Sequence, residues 1–206
     1  MRIIKPSFVI LDELNNDQIL KKIESCGRVC YKSEHLTAAG SAEKFVRSII
    51  SRGHESVIEH VAFSVRFICD RGVSHEVVRH RLASYSQEST RYCNYCKEEF
   101  GREITVIEPV YLEVGSRAYD FWHQACLFAE ESYFKLLDAG CEPQEARAVL
   151  PNSQKTELIM SANLREWRHF LRLRTAKAAH PQVRELTIAL LENLSRLVPA
   201  VFSDLL

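Results

Sequence analysis

Glycine is scarce in this 206-residue chain, and no two of its seven glycines form a G-x-G. That excludes the glycine-rich turn of the dinucleotide-binding fingerprint, and no Gly-Lys-Ser/Thr exists for a P-loop. Net charge is also missing: 27 Lys and Arg balance 27 Asp and Glu, so no global field recruits nucleic acid or an anionic membrane. No apolar run approaches the ~20 residues of a membrane span. The opening Met1-Arg-Ile-Ile-Lys-Pro6 lacks the apolar core of a signal peptide, and a cytoplasmic protein is expected. An odd number of cysteines, seven, lies scattered through a chain long enough to bury a core, which argues for reduced thiols over a disulfide framework. Metal signals fail too. His54-Glu55 is followed by Ile58 where H-E-x-x-H needs histidine. Cys93-x-x-Cys96 has no second C-x-x-C to complete four ligands, and Cys26-x3-Cys30 is a poor partner.

What remains is ordinary globular material, 46% hydrophobic and 26% charged, without repeats or linkers, so a single domain over 1–206 is expected. Within the balanced charge Arg outnumbers Lys 18 to 9, and Arg grips carboxylates and phosphates with a planar two-pronged fork. Residues 3–11 read as a strand that Pro6 pushes to an edge. Residues 61–70 alternate, with Phe63, Val65, Phe67 and Cys69 on one side, the mark of a half-buried strand. Residues 104–108 and 155–162 add further strands. Helices are expected over 16–30, 41–51, 116–138, 143–149, 163–173 and 182–198. Leu186, Leu190, Leu194 and Leu197 form an apolar stripe on the last of these. This order predicts an α+β fold, a small twisted, mainly antiparallel sheet with helices packed around it, rather than a doubly wound sheet.

The segment Arg79-His80-Arg81-Leu-Ala-Ser-Tyr-Ser-Gln87-Glu88-Ser89-Thr90-Arg91-Tyr92 concentrates three arginines, a histidine and many hydroxyl and amide groups. If 73–83 were helical, Arg79 and Arg81 would project about 200° apart and serve different groups. Ser84 to Arg91, almost without aliphatic residues, reads as an ordered polar loop or edge segment. Arg165, Arg168, Arg172 and Arg174 crowd ten residues beside one acid, Glu166. Their spacing spreads them around a helix, and Arg168 is the one expected to be merely solvated. A compact phosphate dianion suits Arg79, Arg91 and Arg147, each net bond to a charged group contributing roughly 1.5–3 kcal/mol.

Arg79-His80-Arg81, seven residues, then Ser89 matches the R-H-R-x7-S signature of flavin-dependent thymidylate synthases, and the chain resembles that family. The likeness extends through Gly53-His54-Glu55-Ser56 with Glu59-His60, Arg147-Ala-Val-Leu-Pro151, Asn163-x-Arg165 and Arg174. It implies reductive methylation of dUMP to dTMP, with methylenetetrahydrofolate giving the carbon and FAD, reduced by NADPH, giving the hydride. It implies a homotetramer, with neither nucleic acid nor membrane as a partner. The implied dUMP set is Glu76, Arg79, Gln87, Glu88, Ser89, Thr90, Arg91, Arg147 and Arg174, with Arg174 catalytic. The implied FAD set is Ser56, His80, Arg81, Gln87, Asn163, Arg165 and His169, and no metal. Glu76 stands where the family commonly has Gln, and a carboxylate cannot donate the amide's hydrogen bond unless protonated. Two other readings of the same arginines are a nucleotide- or RNA-binding module and a catalytically impaired FAD-binding relative.

Overall fold

The computed structural model describes residues 1–93, 95 and 101–206. Six strands, β1 (Arg2–Ile4), β2 (Ser7–Ile10), β3 (Ala62–Asp70), β4 (Ala83–Gln87), β5 (Thr105–Ile107) and β6 (Lys155–Asn163), are interspersed with helices. These are α1 (Asn16–Val29), α2 (Ser41–Ser51), α3 (Arg71–Val77), α4 (Arg117–Asp138), α5 (Pro143–Ala146), α6 (Leu164–Arg174), α7 (Pro181–Leu197) and α8 (Pro199–Phe202). The expected α+β class is what the chain adopts. Four strands form a sheet in the order β2-β3-β6-β4. Val61 pairs with Leu164, Ser64 with Ser161 and Arg71 with Gln154, so rising positions around β3 meet falling ones around β6, an antiparallel register. β1 and β5 form a separate parallel pair. The single strand expected over 3–11 is therefore two, parted at Lys5-Pro6, because proline has no N–H for the ladder.

Two compact units divide the chain: Met1–Phe8, Arg66–Arg79 and Tyr85–Ile159 in the first, and Val9–Val65, His80–Ser84 and Met160–Leu206 in the second. In the first, Tyr95, Ile104, Val106, Cys126, Tyr133 and Ala146 make the core, with Ile3, Trp122 and Leu150 packed against it. In the second, Phe63 and Val65 of β3 are buried with Ile23 of α1, Val46 of α2, Trp167, Phe170 and Leu171 of α6, and Leu190 and Leu194 of α7. Trp167 stacks on Phe63 at 4.9 Å and donates its indole N–H to the Phe63 carbonyl at 3.1 Å. The α7 stripe holds at Leu186, Leu190 and Leu194 and fails at Leu197, which ends the helix 39% exposed. No helix among the described residues is long and apolar enough to cross a membrane.

Caps explain where the helices of the second unit begin and end. Asn15 accepts from Gln18 N at the start of α1, and Asn163 accepts from Glu166 N at the start of α6. At the far end of α6, Arg184 Nε on α7 donates to Thr175 O at 3.2 Å. The Thr187 hydroxyl lies 3.0 Å from Arg174 O and 2.9 Å from Val183 O, sharing one proton between them.

Gly27 lies inside α1, where alanine would ordinarily favour the helix by about 0.5–1 kcal/mol. A Cβ there would meet the Phe45 ring at 2.5 Å, an overlap whose relief costs roughly 1–3 kcal/mol. Gly27→Ala is expected to lower the denaturation midpoint. A midpoint at or above wild type would show that the ring gives way freely.

Candidate functional site

The arginine-rich segment does not continue α3. The helix ends at Val77, whose carbonyl is taken by the Tyr85 hydroxyl at 2.9 Å, and β4 starts at Ala83. Arg79-His80-Arg81 thus lie in the connection between them, and the 200° separation expected for a helix does not arise. The chain passes from the first unit to the second between Arg79 and His80, returning at Tyr85. Ala83–Gln87 is an edge strand and Ser89 begins a turn, its carbonyl accepting from Tyr92 N and Cys93 N. The expectation of a polar edge segment is met.

In the first unit, the candidate nucleotide residues split into held and presented groups. The Gln87 amide donates to Ser74 Oγ at 3.0 Å and to Thr156 Oγ1 at 3.2 Å. Glu88 accepts from Lys155 Nζ at 3.0 Å, the Tyr95 hydroxyl at 3.1 Å and Glu157 N at 3.2 Å. Both side chains are occupied by the protein itself. Arg91 lies over the Tyr92 ring and reaches Gln144 at 3.5 Å, while Ser89 Oγ accepts from Arg91 N. Arg147 reaches Thr90 Oγ1 at 3.3 Å. These last two border a cavity of about 330 Å³ lined also by Arg71, His75, Asn152 and Gln154. No carboxylate is among the described residues lining it, so its field favours an anion. Arg79 is exposed and Glu76 half-buried.

The second unit holds the rest. His80, 5% exposed, places Nδ1 3.3 Å from Glu166 Oε1 and accepts at Nε2 from Arg174 Nε at 3.1 Å. Burial, then the Arg174 charge and His169, push its pKa down to about 4. The close His80–Glu166 approach is therefore a hydrogen bond from a neutral ring rather than an ion pair. Burial raises the Glu166 pKa. A second cavity, about 540 Å³, is lined by Glu55, Glu59, Leu82, Asn163, Arg165, Glu166, His169 and Arg172. Ser56 and Arg81 are both exposed on the segments that contribute Glu55 and Leu82. Asn163 already serves as the α6 cap.

Among the α6 arginines, Arg168 corrects the expectation of solvation. It is 1% exposed and binds Glu55 at 3.1 Å, both oxygens of Asp204 at 2.7 Å, and the Val201 carbonyl. Arg165 pairs with Glu59 at 2.6 Å with both side chains largely exposed. Such a surface pair contributes ~0–1 kcal/mol, so Arg165 can exchange Glu59 for a phosphate. Arg165, Arg172 and His169 supply cationic or N–H donors without a glycine-rich loop, and that donor set fits the phosphates of a dinucleotide cofactor. Sequence reading missed Arg71, His75, Gln154 and Glu166. Only Glu166 had a signal, as the lone acid among four arginines.

Cysteine chemistry recedes. Burial pushes the Cys69 thiol up to about 12 and the Cys126 thiol up to about 11, far from a thiolate at neutral pH. Of the C-x-x-C pair, Cys93 borders β4 and Cys96 lies outside the described residues.

A family model described as thymidylate synthase complementing protein matches residues 11–200. A flavin-dependent thymidylate synthase of Geobacter sulfurreducens is 33% identical over 184 residues, covering 86% of this chain and 78% of that protein. One from Mycobacterium tuberculosis is 34% identical, covering 88% and 78%. Among solved structures, a UMP/dUMP methylase from Streptomyces cacaoi bound with 5-Br dUMP superposes with a TM-score of 0.79. It covers 98% of this chain and 96% of its own at 23% identity, a likeness of fold.

The depressed His80 pKa has a consequence for stability. A neutral ring in the folded state and a charged one after unfolding means that the unfolded chain binds more protons between its ordinary pKa of about 6.5 and about 4. The stabilisation is complete above that window and is lost as pH falls through it, by up to about 3 kcal/mol. Melting followed from pH 7 to 4 should show this loss, and His80→Asn should remove the part of the slope that lies between 6.5 and 4. An unchanged slope in the variant would mean His80 is charged in the fold.

Proposed function

The chain belongs to the flavin-dependent thymidylate synthase family, and we propose that it converts dUMP to dTMP by reductive methylation. Methylenetetrahydrofolate would supply the carbon, with NADPH as the reductant of bound FAD. The observation that carries this reading is the anion-favouring cavity of the first unit. Its Thr90 and Arg147 belong to the nucleotide set that the motif implies, Arg71 adds positive charge, and His75 adds a ring that can hydrogen-bond. A nucleoside monophosphate needs such a pocket for its dianion. In the second unit, Arg165, His169 and Arg172 would hold the pyrophosphate of FAD at the 540 Å³ cavity. The flavin would supply the hydride that turns the transferred methylene into a methyl group.

Arg174 is the proposed catalytic residue. In this reading no cysteine is the nucleophile, in keeping with the raised thiol pKa values of Cys69 and Cys126, and C5 gains its electron density from within the ring. A guanidinium beside N3 and its carbonyl stabilises the charge that develops there, and it stays protonated at any working pH. We further propose a cytoplasmic homotetramer, on the family likeness alone, which light scattering of the flavin-loaded protein will test.

Two outcomes are expected. The purified protein takes up FAD, seen as a flavin absorption band that NADPH bleaches. A protein that shows no spectral change on FAD titration would leave only a nucleotide-binding module. Arg174→Ala keeps FAD and the fold but lowers turnover with saturating dUMP by about a hundredfold or more, the usual loss for one preorganised donor. Near-normal turnover with a lower melting temperature would reduce Arg174 to a helix-end cation.

A further inference from the structure

We propose that Glu166 is a positioning residue: it accepts the Nδ1–H of His80 and so fixes the imidazole tautomer whose Nε2 accepts from Arg174, setting the direction of that guanidinium. The proposal rests on the reading of Arg174 given above.

The geometry admits one proton arrangement. Ionised, a carboxylate only accepts, and an arginine Nε–H only donates. His80 stands between them, 3.3 Å from Glu166 Oε1 and 3.1 Å from Arg174 Nε. The neutral ring with its proton on Nδ1 satisfies both. The other neutral tautomer sets a lone pair against the carboxylate and N–H against N–H, and an imidazolium repeats the second clash while adding a like charge beside Arg174. The two partners of His80 lie on α6. Glu166, Phe170 and Arg174 occupy i, i+4 and i+8, one stripe of the helix. His80 meets that stripe along its length, edge-on to Phe170 at 4.9 Å. His169, at 5.6 Å between ring centres, is another titratable group facing it among the described residues, and it stands outside the stripe.

Burial makes the arrangement consequential. His80 and Glu166 are each 5% exposed, so water does not stand in readily for a lost partner, and an unmade bond costs its full desolvation. Because the bond to His80 uses Arg174 Nε, it leaves the terminal Nη1 and Nη2 edge out of that contact while holding the plane of the fork. The logic is that of a carboxylate orienting a histidine in a catalytic triad, here passed to an arginine instead of a nucleophile.

Nitrogen NMR of the full-length, flavin-loaded protein carrying ¹⁵N-labelled histidine tests the tautomer directly. Between pH 6 and 8 wild type should show His80 with a protonated Nδ1 and an unprotonated Nε2. Glu166→Gln keeps the side chain's size but can donate as well as accept, so only Arg174 still opposes the other tautomer and a measurable share of it should appear beside the wild-type form. With it kcat should fall about ten- to a hundredfold, as when an outer partner of a functional histidine is lost, with a smaller change in the KM for dUMP and retained FAD. A wild-type ring protonated on Nε2 overturns the proposal. So does a Glu166→Gln enzyme with wild-type kcat, or one with a single unchanged tautomer. Arg174→Ala assayed alongside separates the two claims: retained turnover there overturns the assignment of Arg174 itself, whatever the state of His80.

Discussion

The buried guanidinium of Arg168 is the contact on which the second unit's site depends. Its partners come from three places in the chain, Glu55 before β3, Val201 in α8 and Asp204 beyond it, so one side chain ties the chain's end and an early turn to α6. A buried cation of this kind adds little net stability relative to a well-packed apolar residue. Removing one partner is what costs, about 3–5 kcal/mol, since the rest of the charge is stranded. The Arg168 contacts therefore act as a fixed pivot, and the residues arrayed around α6, from Asn163 to Arg174, take their directions from it.

Four arginines in ten residues of one helix meet four fates, and helical spacing alone separates them. Arg168 and Arg172, at i and i+4, both lean towards Glu55, at 3.1 and 3.6 Å. Arg165 turns to an exposed partner that exchanges at little cost, and Arg174 turns to a neutral histidine. Charge on this helix is thus graded from locked to exchangeable. Under the proposed function, that division would let one helix hold a pyrophosphate at one point and act on a planar ring edge at another.

Much of this was legible before any coordinates. Period-2 alternation marked β3, and Phe63, Val65, Phe67 and Cys69 are all buried. Proline and glycine marked the breaks at Gly53, Gly140 and Pro181, though not the one at Pro6. The R-H-R segment announced itself by composition. What escaped depends on distant partners. Arg168 looks like its neighbours until Asp204, 36 residues away, is brought to it. The end of α3 at Val77 is closed by the Tyr85 hydroxyl as well as by its local cap bonds from Val78 and Arg79. Gln154 stands just before the alternating run of β6, where pattern carries no sign, yet it is 1% exposed at the wall of the anion-favouring cavity.

The tie at the end of α6 bears on motion. Helix ends fray first because their last carbonyls lack partners within the helix. Here Thr175 O receives Arg184 Nε and Arg174 O shares the Thr187 hydroxyl, so the last turn is stitched to α7 where an unaided helix would breathe. The main chain carrying Arg174 is thereby tied to α7 at both of its last carbonyls, and its side chain is held in turn by His80. An arginine is among the longest of side chains, and this one is anchored on a helix end whose carbonyls are bonded to the neighbouring helix.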